Sequence, residues 1–197
     1  MNSSEVHSDF SGNIRLLVIA DSDDIPESKD IPEADILISC GDIADQTILN
    51  IAGLSKCSRI FAVKGNHDSG SVFAPPILDL HLTARNYGGI SFGGFQGSWK
   101  YKSRGHYLYD QEDAEKLLAS FPSVDVFVAH NSPRGVHDKE DEIHTGFEAF
   151  TGYIRRARPK LFLHGHQHLE DETVIDGTRV IAVYGWKLLE LPLKNNL

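Results

Sequence analysis

The feature that most limits how this chain can fold is a recurring unit, a short aliphatic run that ends abruptly in Asp, Gly, Asn or His. Ile14 to Ala20 runs into Asp21-Ser22-Asp23-Asp24, Ile36 to Cys40 into Gly41-Asp42-Ile43-Ala44-Asp45, and Ile60 to Val63 into Lys64-Gly65-Asn66-His67-Asp68. Val124 to Ala129 runs into His130-Asn131-Ser132-Pro133, and Leu161-Phe162-Leu163 into His164-Gly165-His166-Gln167-His168. Runs with no polar alternation are strands buried on both faces, and the carboxyl ends of such strands are where α/β sheets place their chemistry.

Helical patterns fall between these runs. Thr47 to Ser55 and Phe147 to Ala157 read as helices, the second closed by Pro159. Asp110 to Ser120 reads as a third, with Asp110 as its N-cap. Gly70 to Asp110 is turn-rich: Ile77 to Leu82 and Gly89 to Gly93 are expected as strands of a second sheet or edge. A loop from Phe95 to Tyr109 follows, carrying Trp99, Tyr101, Lys102, Arg104, His106, Tyr107 and Tyr109, a mixture suited either to packing or to a substrate mouth. Thr173 to Ile175, an Asp176-Gly177 turn and Arg179 to Val183 form a hairpin, and Lys187 to Leu191 adds a final strand. With 197 residues, 41% of them apolar, the chain can bury one substantial core, so a single domain over 1–197 is expected, with 1–13 as an N-terminal extension.

The last unit carries the strongest chemical signal. In extended geometry His164, His166 and His168 share a face, and Gly165 leaves room beside them for another backbone or a ligand. Imidazole is the commonest side-chain metal ligand, and three beside a glycine at a strand end are hard to explain by packing. The missing carboxylates are expected at the other strand ends.

The formal net charge of −9 opposes general attraction to nucleic-acid backbones, although divalent cations would reverse the sign locally where a phosphate lands. Cys40 and Cys57 are too few for a disulfide framework and suggest reduced, intracellular thiols. Met1 to Asn13 lacks the apolar core of a signal peptide, and no apolar run approaches membrane-spanning length. A soluble, cytoplasmic protein is the expectation.

Taken together, Asp21, Gly-Asp-x-x-Asp at 41–45, Gly-Asn-His-Asp at 65–68, His130 and Gly-His-Gln-His at 165–168 resemble the calcineurin-like metallophosphoesterases, from about Ile14 to Leu191. The resemblance implies an α/β fold in four layers, a two-sheet β-sandwich flanked by helices, with a dinuclear metal site at the loop ends. It implies Asp42 as the bridge between two ions, Asp21 and His168 on one, and Asn66, His130 and His166 on the other. A bridging carboxylate holds such ions about 3.5–4 Å apart and a water between them is acidified toward hydroxide, which attacks phosphorus. His67 would lie near the leaving group as proton donor. Asp68 is expected to orient His67, and Asp45 to cap the following helix.

At its first motif the chain departs from the family's Asp-x-His and has Asp21-Ser22-Asp23. Asp23 could ligate through its carboxylate, with Asp24 as the alternative, giving an oxygen-rich shell suited to manganese; iron, zinc and magnesium remain options. Arg134, the nearest cation to His130 in sequence, together with His137 and Arg104, are candidate substrate contacts. The expected activity is metal-dependent hydrolysis of a small phosphoester. The alternatives are a binding scaffold, since relatives of this kind without metal ligands exist but typically lack the last-motif histidines kept here, and a nuclease, disfavoured by the acidic charge.

Overall fold

From Ile14 to Ala20 every residue except Arg15 is fully buried, so this stretch has protein on both faces. In the computed structural model, which describes residues 12–23 and 31–192, it forms strand β1 (Asn13–Ala20). There follow β2 (Ile36–Ser39), α1 (Asp45–Leu54), β3 (Arg59–Ala62), β4 (Leu78–Asp79), β5 (Arg85–Tyr87), β6 (Ile90–Phe95), β7 (Ser98–Trp99) and β8 (Leu108–Tyr109). The remainder is α2 (Gln111–Leu118), β9 (Val126–Ala129), α3 (Glu148–Ala157), β10 (Leu161–His164), β11 (Asp171–Ile175), β12 (Thr178–Ala182) and β13 (Gly185–Pro192). Asp24 and most of the expected N-terminal extension lie outside the described residues.

Two sheets result. One has the order β13-β1-β2-β3-β4 and the other β11-β12-β10-β9-β6-β5, with β7 and β8 pairing separately. Inside each sheet the central strands run parallel, and the antiparallel pairs, β1 with β13, β11 with β12 and β5 with β6, lie at the edges. The period-two geometry of a strand sorts the apolar side chains into layers. Leu16, Val18 and Ala20 of β1 meet Val126, Val128, Leu161 and Leu163 of the other sheet in a shared core. Leu17 and Ile19 face outward onto Ile48, Ile51 and Ala52, the buried stripe of α1. Phe127 and Phe162 face the opposite side and pack on Phe150, Tyr153 and Ile154 of α3 and on Ala114 and Leu118 of α2. The molecule is the mixed α/β four-layer sandwich expected from the sequence.

Local differences have local causes. The strand expected over Ile77 to Leu82 shrinks to Leu78–Asp79, with one further bridge from His81 to Gly94. The aromatic loop contains the small β7–β8 ladder, Ser98 opposite Leu108 and Trp99 opposite Tyr109. Asp110 occupies the N-cap of α2 without a capping hydrogen bond, its carboxylate being paired with Lys100 instead. Asp45 begins α1 rather than capping it: its two oxygens take Lys64 Nζ and the Ala74 N–H, tying the 65–74 loop down. At the β11–β12 hairpin Asp176 and Gly177 both have positive φ, 49° and 86°, the turn that matches strand twist.

Candidate metal centre

Parallel strands bring their carboxyl ends to one side, so the loops after β1, β2, β3, β9 and β10 converge there. The backbone fastens them to one another: Asp21 N–H donates to Gly41 O and Gly165 N–H to His130 O. Asp68 adds a further clamp, its Oδ2 accepting the N–H groups of Gly65 at 2.7 Å and Asp42 at 3.0 Å. The carboxylate expected to orient the His67 ring therefore serves the backbone of two loops. Where they meet there is no room for side chains. A Cβ on Gly165 would lie 2.5 Å from Asp21 Oδ2, and one on Gly65 would collide with the Asp42 carboxylate. The space read into Gly165 from sequence is taken by Asp21.

Asp21, Asp42 and His130 each place one ligand atom within 4.8 Å of the others. His130 Nε2 is 3.3 Å from Asp42 Oδ2 and 3.0 Å from Asn66 Oδ1, so three motifs meet at this nitrogen. Its other nitrogen, Nδ1, donates to Cys40 O at 2.8 Å and lies 3.9 Å from Asp21 Oδ1, which fixes the ring and directs Nε2 at Asp42 and Asn66. Asp42 Oδ1 accepts the backbone N–H of His67, leaving that side chain exposed at the rim.

The electrostatics describe a site that wants positive charge. Burial raises the Asp21 carboxyl to about 7, against the pull of His130. Burial also works to lower the His130 imidazole, but Asp42 and Asp21 outweigh it and carry it up to about 9. Asp42, resisted by burial but drawn down chiefly by His130, falls to about 2. A proton on His130 thus holds the place of a cation. Asp21 Oδ1 is buried without a hydrogen-bond partner among the described residues, 3.9 Å from His130 Nδ1.

The histidines of the last motif do not share a face. The strand ends at His164, and His166 and His168 both have positive φ, 68° and 48°, so the alternation that the strand would impose is broken. Asp21 and Asp42 are left-handed too, at 60° and 54°, and strained backbone of this kind gathers at functional sites. His166 turns toward the cluster, its ring 4.9 Å from that of His130, with its N–H on Asp21 Oδ2 and Nε2 donating to Ile143 O at 3.2 Å. That leaves Nδ1 with the lone pair, and burial drives the pKa down to about 3. His168 is exposed, its ring 5.1 Å from that of Tyr184.

His164 points elsewhere and is fully buried. Its Nδ1 donates to Gly165 O, its Nε2 accepts from His137 Nδ1 at 3.0 Å, and His137 Nε2 accepts from the Thr173 hydroxyl. The His137 side chain is 3% exposed, so it is packed inside this chain of bonds and not on a surface that a substrate could reach. Arg134 pairs with Asp138 at 3.0 Å and lines a separate cavity of about 650 Å³ between α2 and α3. Arg104 is exposed in the 102–106 stretch. Asp23 is exposed as well, and its Oδ1 accepts the Ala44 N–H at 3.1 Å, a bond that joins the first loop to the second.

Tyr101 and Tyr107 stand in the loop read from sequence as suited to packing or a substrate mouth, but their partners were not legible there: the Tyr101 hydroxyl lies 3.3 Å from Asn66 Nδ2, and that of Tyr107 donates to Ser69 O. These contacts lay the aromatic arm over the Asn66 loop, and no local pattern announces a contact across 35 residues.

Solved structures with this fold include the phosphopantetheinyl hydrolase of Mycobacterium tuberculosis, 14% identical with a TM-score of 0.57, covering 89% of this chain and 91% of that one. Vacuolar Protein Sorting 29 from Cryptosporidium parvum is 11% identical with a TM-score of 0.55, covering 92% and 87%. A putative 5'-nucleotidase from Staphylococcus aureus is 12% identical with a TM-score of 0.52, covering 94% and 55%. At such identities they establish the fold alone. No curated protein matches the chain in sequence. The family model for calcineurin-like phosphoesterase matches residues 4–170, and the chain belongs to that family.

Proposed function

We propose that the protein is a metal-dependent hydrolase of small phosphoesters, mono- or diesters. The observation that carries this reading is the cluster of Asp21, Asp42, Asn66 and His130, with a buried, unpartnered carboxylate oxygen and an imidazole whose far nitrogen is fixed by a carbonyl. Carboxylate, amide and imidazole donors together fit hard to borderline divalent ions, manganese first. Bound there, two such ions would acidify a water and neutralise phosphate charge.

The chain's own groups divide the remaining work. Asp21, Asp42 and His168 would hold one ion, and Asn66, His130 and His166, with Asp42 shared, would hold the other. Neutral imidazoles ligate without first losing a proton, which the lowered pKa of His166 provides. His67, exposed at the rim with its backbone tied to Asp42, is placed to protonate the leaving oxygen. Tyr101 borders the cluster through Asn66, and Arg104, exposed on the same arm, would contact the rest of the substrate, whereas Arg134 and His137 drop out because their side chains are engaged elsewhere. The net charge of −9 disfavours extended nucleic acid.

The scaffold reading stays in play because the same fold serves a protein named for vacuolar sorting as well as two named for hydrolysis. Loading with manganese, elemental analysis and an aryl phosphate mono- and diester screen decide between them. Two bound ions with chelator-sensitive turnover support the enzyme. Absence of bound metal, or activity that chelator leaves untouched, ends that reading.

A further inference from the structure

On the proposed assignment, which this inference rests on, the ion beside Asp21 has Asp21, Asp42 and His168 as protein donors, one fewer than its neighbour. Asp23 is exposed and spends one oxygen on the Ala44 N–H. An imidazole packs against His166, on a loop that belongs to none of the recognised motifs.

His144 Nδ1 lies 2.7 Å from Asp141 Oδ2, to which it donates, so its lone pair is on Nε2. The carboxylate is itself immobilised, because Asp141 Oδ1 accepts the N–H groups of Ile143 at 2.9 Å and His144 at 2.6 Å. A carboxylate behind one imidazole nitrogen is the arrangement that orients metal-binding histidines and raises their basicity. The ring centroid is 5.5 Å from that of His166, close to the 4.9 Å between His130 and His166. The segment is bound to the His166 turn twice, through Gln167 Nε2 to His144 O at 2.9 Å and His166 Nε2 to Ile143 O at 3.2 Å. About a quarter of the side chain, 24%, is exposed, so Nε2 is not sealed away.

We propose that His144, held by Asp141, is a further ligand of the metal centre, entering it beside His166. The 134–146 loop then has a function beyond covering the site: a second carboxylate, Asp138, binds Gly135 N–H, Gly146 N–H and Arg134 and shapes the loop so that Asp141 and His144 arrive together.

The test uses the full chain, wild type and variants, titrated with manganese and separately with cobalt. His144→Ala should lose one equivalent of manganese, or bind the weaker ion at least tenfold less tightly, and change the cobalt absorption that reports nitrogen ligands. Asp141→Asn should weaken the same ion by about 10-fold, the lower end of what lost orienting partners cost. His144→Asp should keep two equivalents while shifting preference from zinc toward manganese, and it guards against a folding artefact in the alanine variant. Wild type that binds two ions while His144→Ala binds both with unchanged affinity and an unchanged cobalt spectrum overturns this assignment and leaves the proposed hydrolase standing. Wild type that binds none overturns both.

Discussion

Two groups of histidines sit within a few residues of one another and differ in how their nitrogens are spent. In the His164–His137–Thr173 chain every ring nitrogen has a partner, and the bonds run in one direction from the hydroxyl to the Gly165 carbonyl. His130, His166 and His144 each have one nitrogen fixed by a carbonyl or carboxylate; the other points at the acidic cluster in His130 and is left as a lone pair in His166 and His144. A completed network is architecture, whereas a half-completed one is a site. Burial does not separate the groups, since His130 and His164 are both fully buried. The bookkeeping of donors and acceptors does.

The sharpest way to break this contrast is Asp42→Asn, which removes the proposed bridge. Metal content should collapse and turnover fall by about 10³-fold or more, the scale of several kcal/mol of lost charge stabilisation, while the fold persists. An unchanged manganese stoichiometry would remove Asp42 from the centre. Next, His67→Ala should slow hydrolysis about 10²- to 10⁴-fold with both ions retained, and the deficit should shrink for aryl leaving groups that need little protonation. Metal loss in that variant would show that His67 is a ligand.

A matched pair probes the histidine groups directly. His164→Ala strands His137 and opens a buried hole, so it should cost about 2–4 kcal/mol in a denaturant midpoint while sparing the metals. His166→Ala should do the reverse, and equal effects on both readouts would erase the distinction. Acid adds a gentler test. Burial lowers His164 to about 3, so below its ordinary value near 6.5 the unfolded chain takes up a proton that the folded one refuses. Stability should fall as pH drops from 6.5 toward 3, measured as denaturant midpoints, with a shallower slope in His164→Ala. The smallest effect is expected from Asp23→Ala: loss of one exposed bond to Ala44 should leave the metal count unchanged by elemental analysis.

The strands and their chemical ends were legible because a strand buried on both faces requires an unbroken apolar run, and that requirement is written locally in Leu16–Ala20, Val126–Ala129 and Leu161–Leu163. The same logic failed at His164, His166 and His168. It assumed that extended backbone continued, and the left-handed φ of His166 ends the alternation one residue past Gly165. The partners that give the site its shape were illegible for a different reason. Asp68 to Asp42, Tyr101 to Asn66 and His130 to Cys40 are contacts across long stretches of chain, and nothing in a short window distinguishes Asp68 as a clamp from Asp68 as a ring orienter.

Gly65 and Gly165 imply an unusual pattern of tolerance. At an exposed rim position such as His67 a substitution exchanges one lining group for another. At these two positions even a methyl group competes for volume with a carboxylate oxygen, Asp42 in one case and Asp21 in the other. A saturation survey would see them as intolerant in the manner of core residues, although neither contributes a side chain to any core. The centre is thus defined as much by two vacancies in the sequence as by the donors around it.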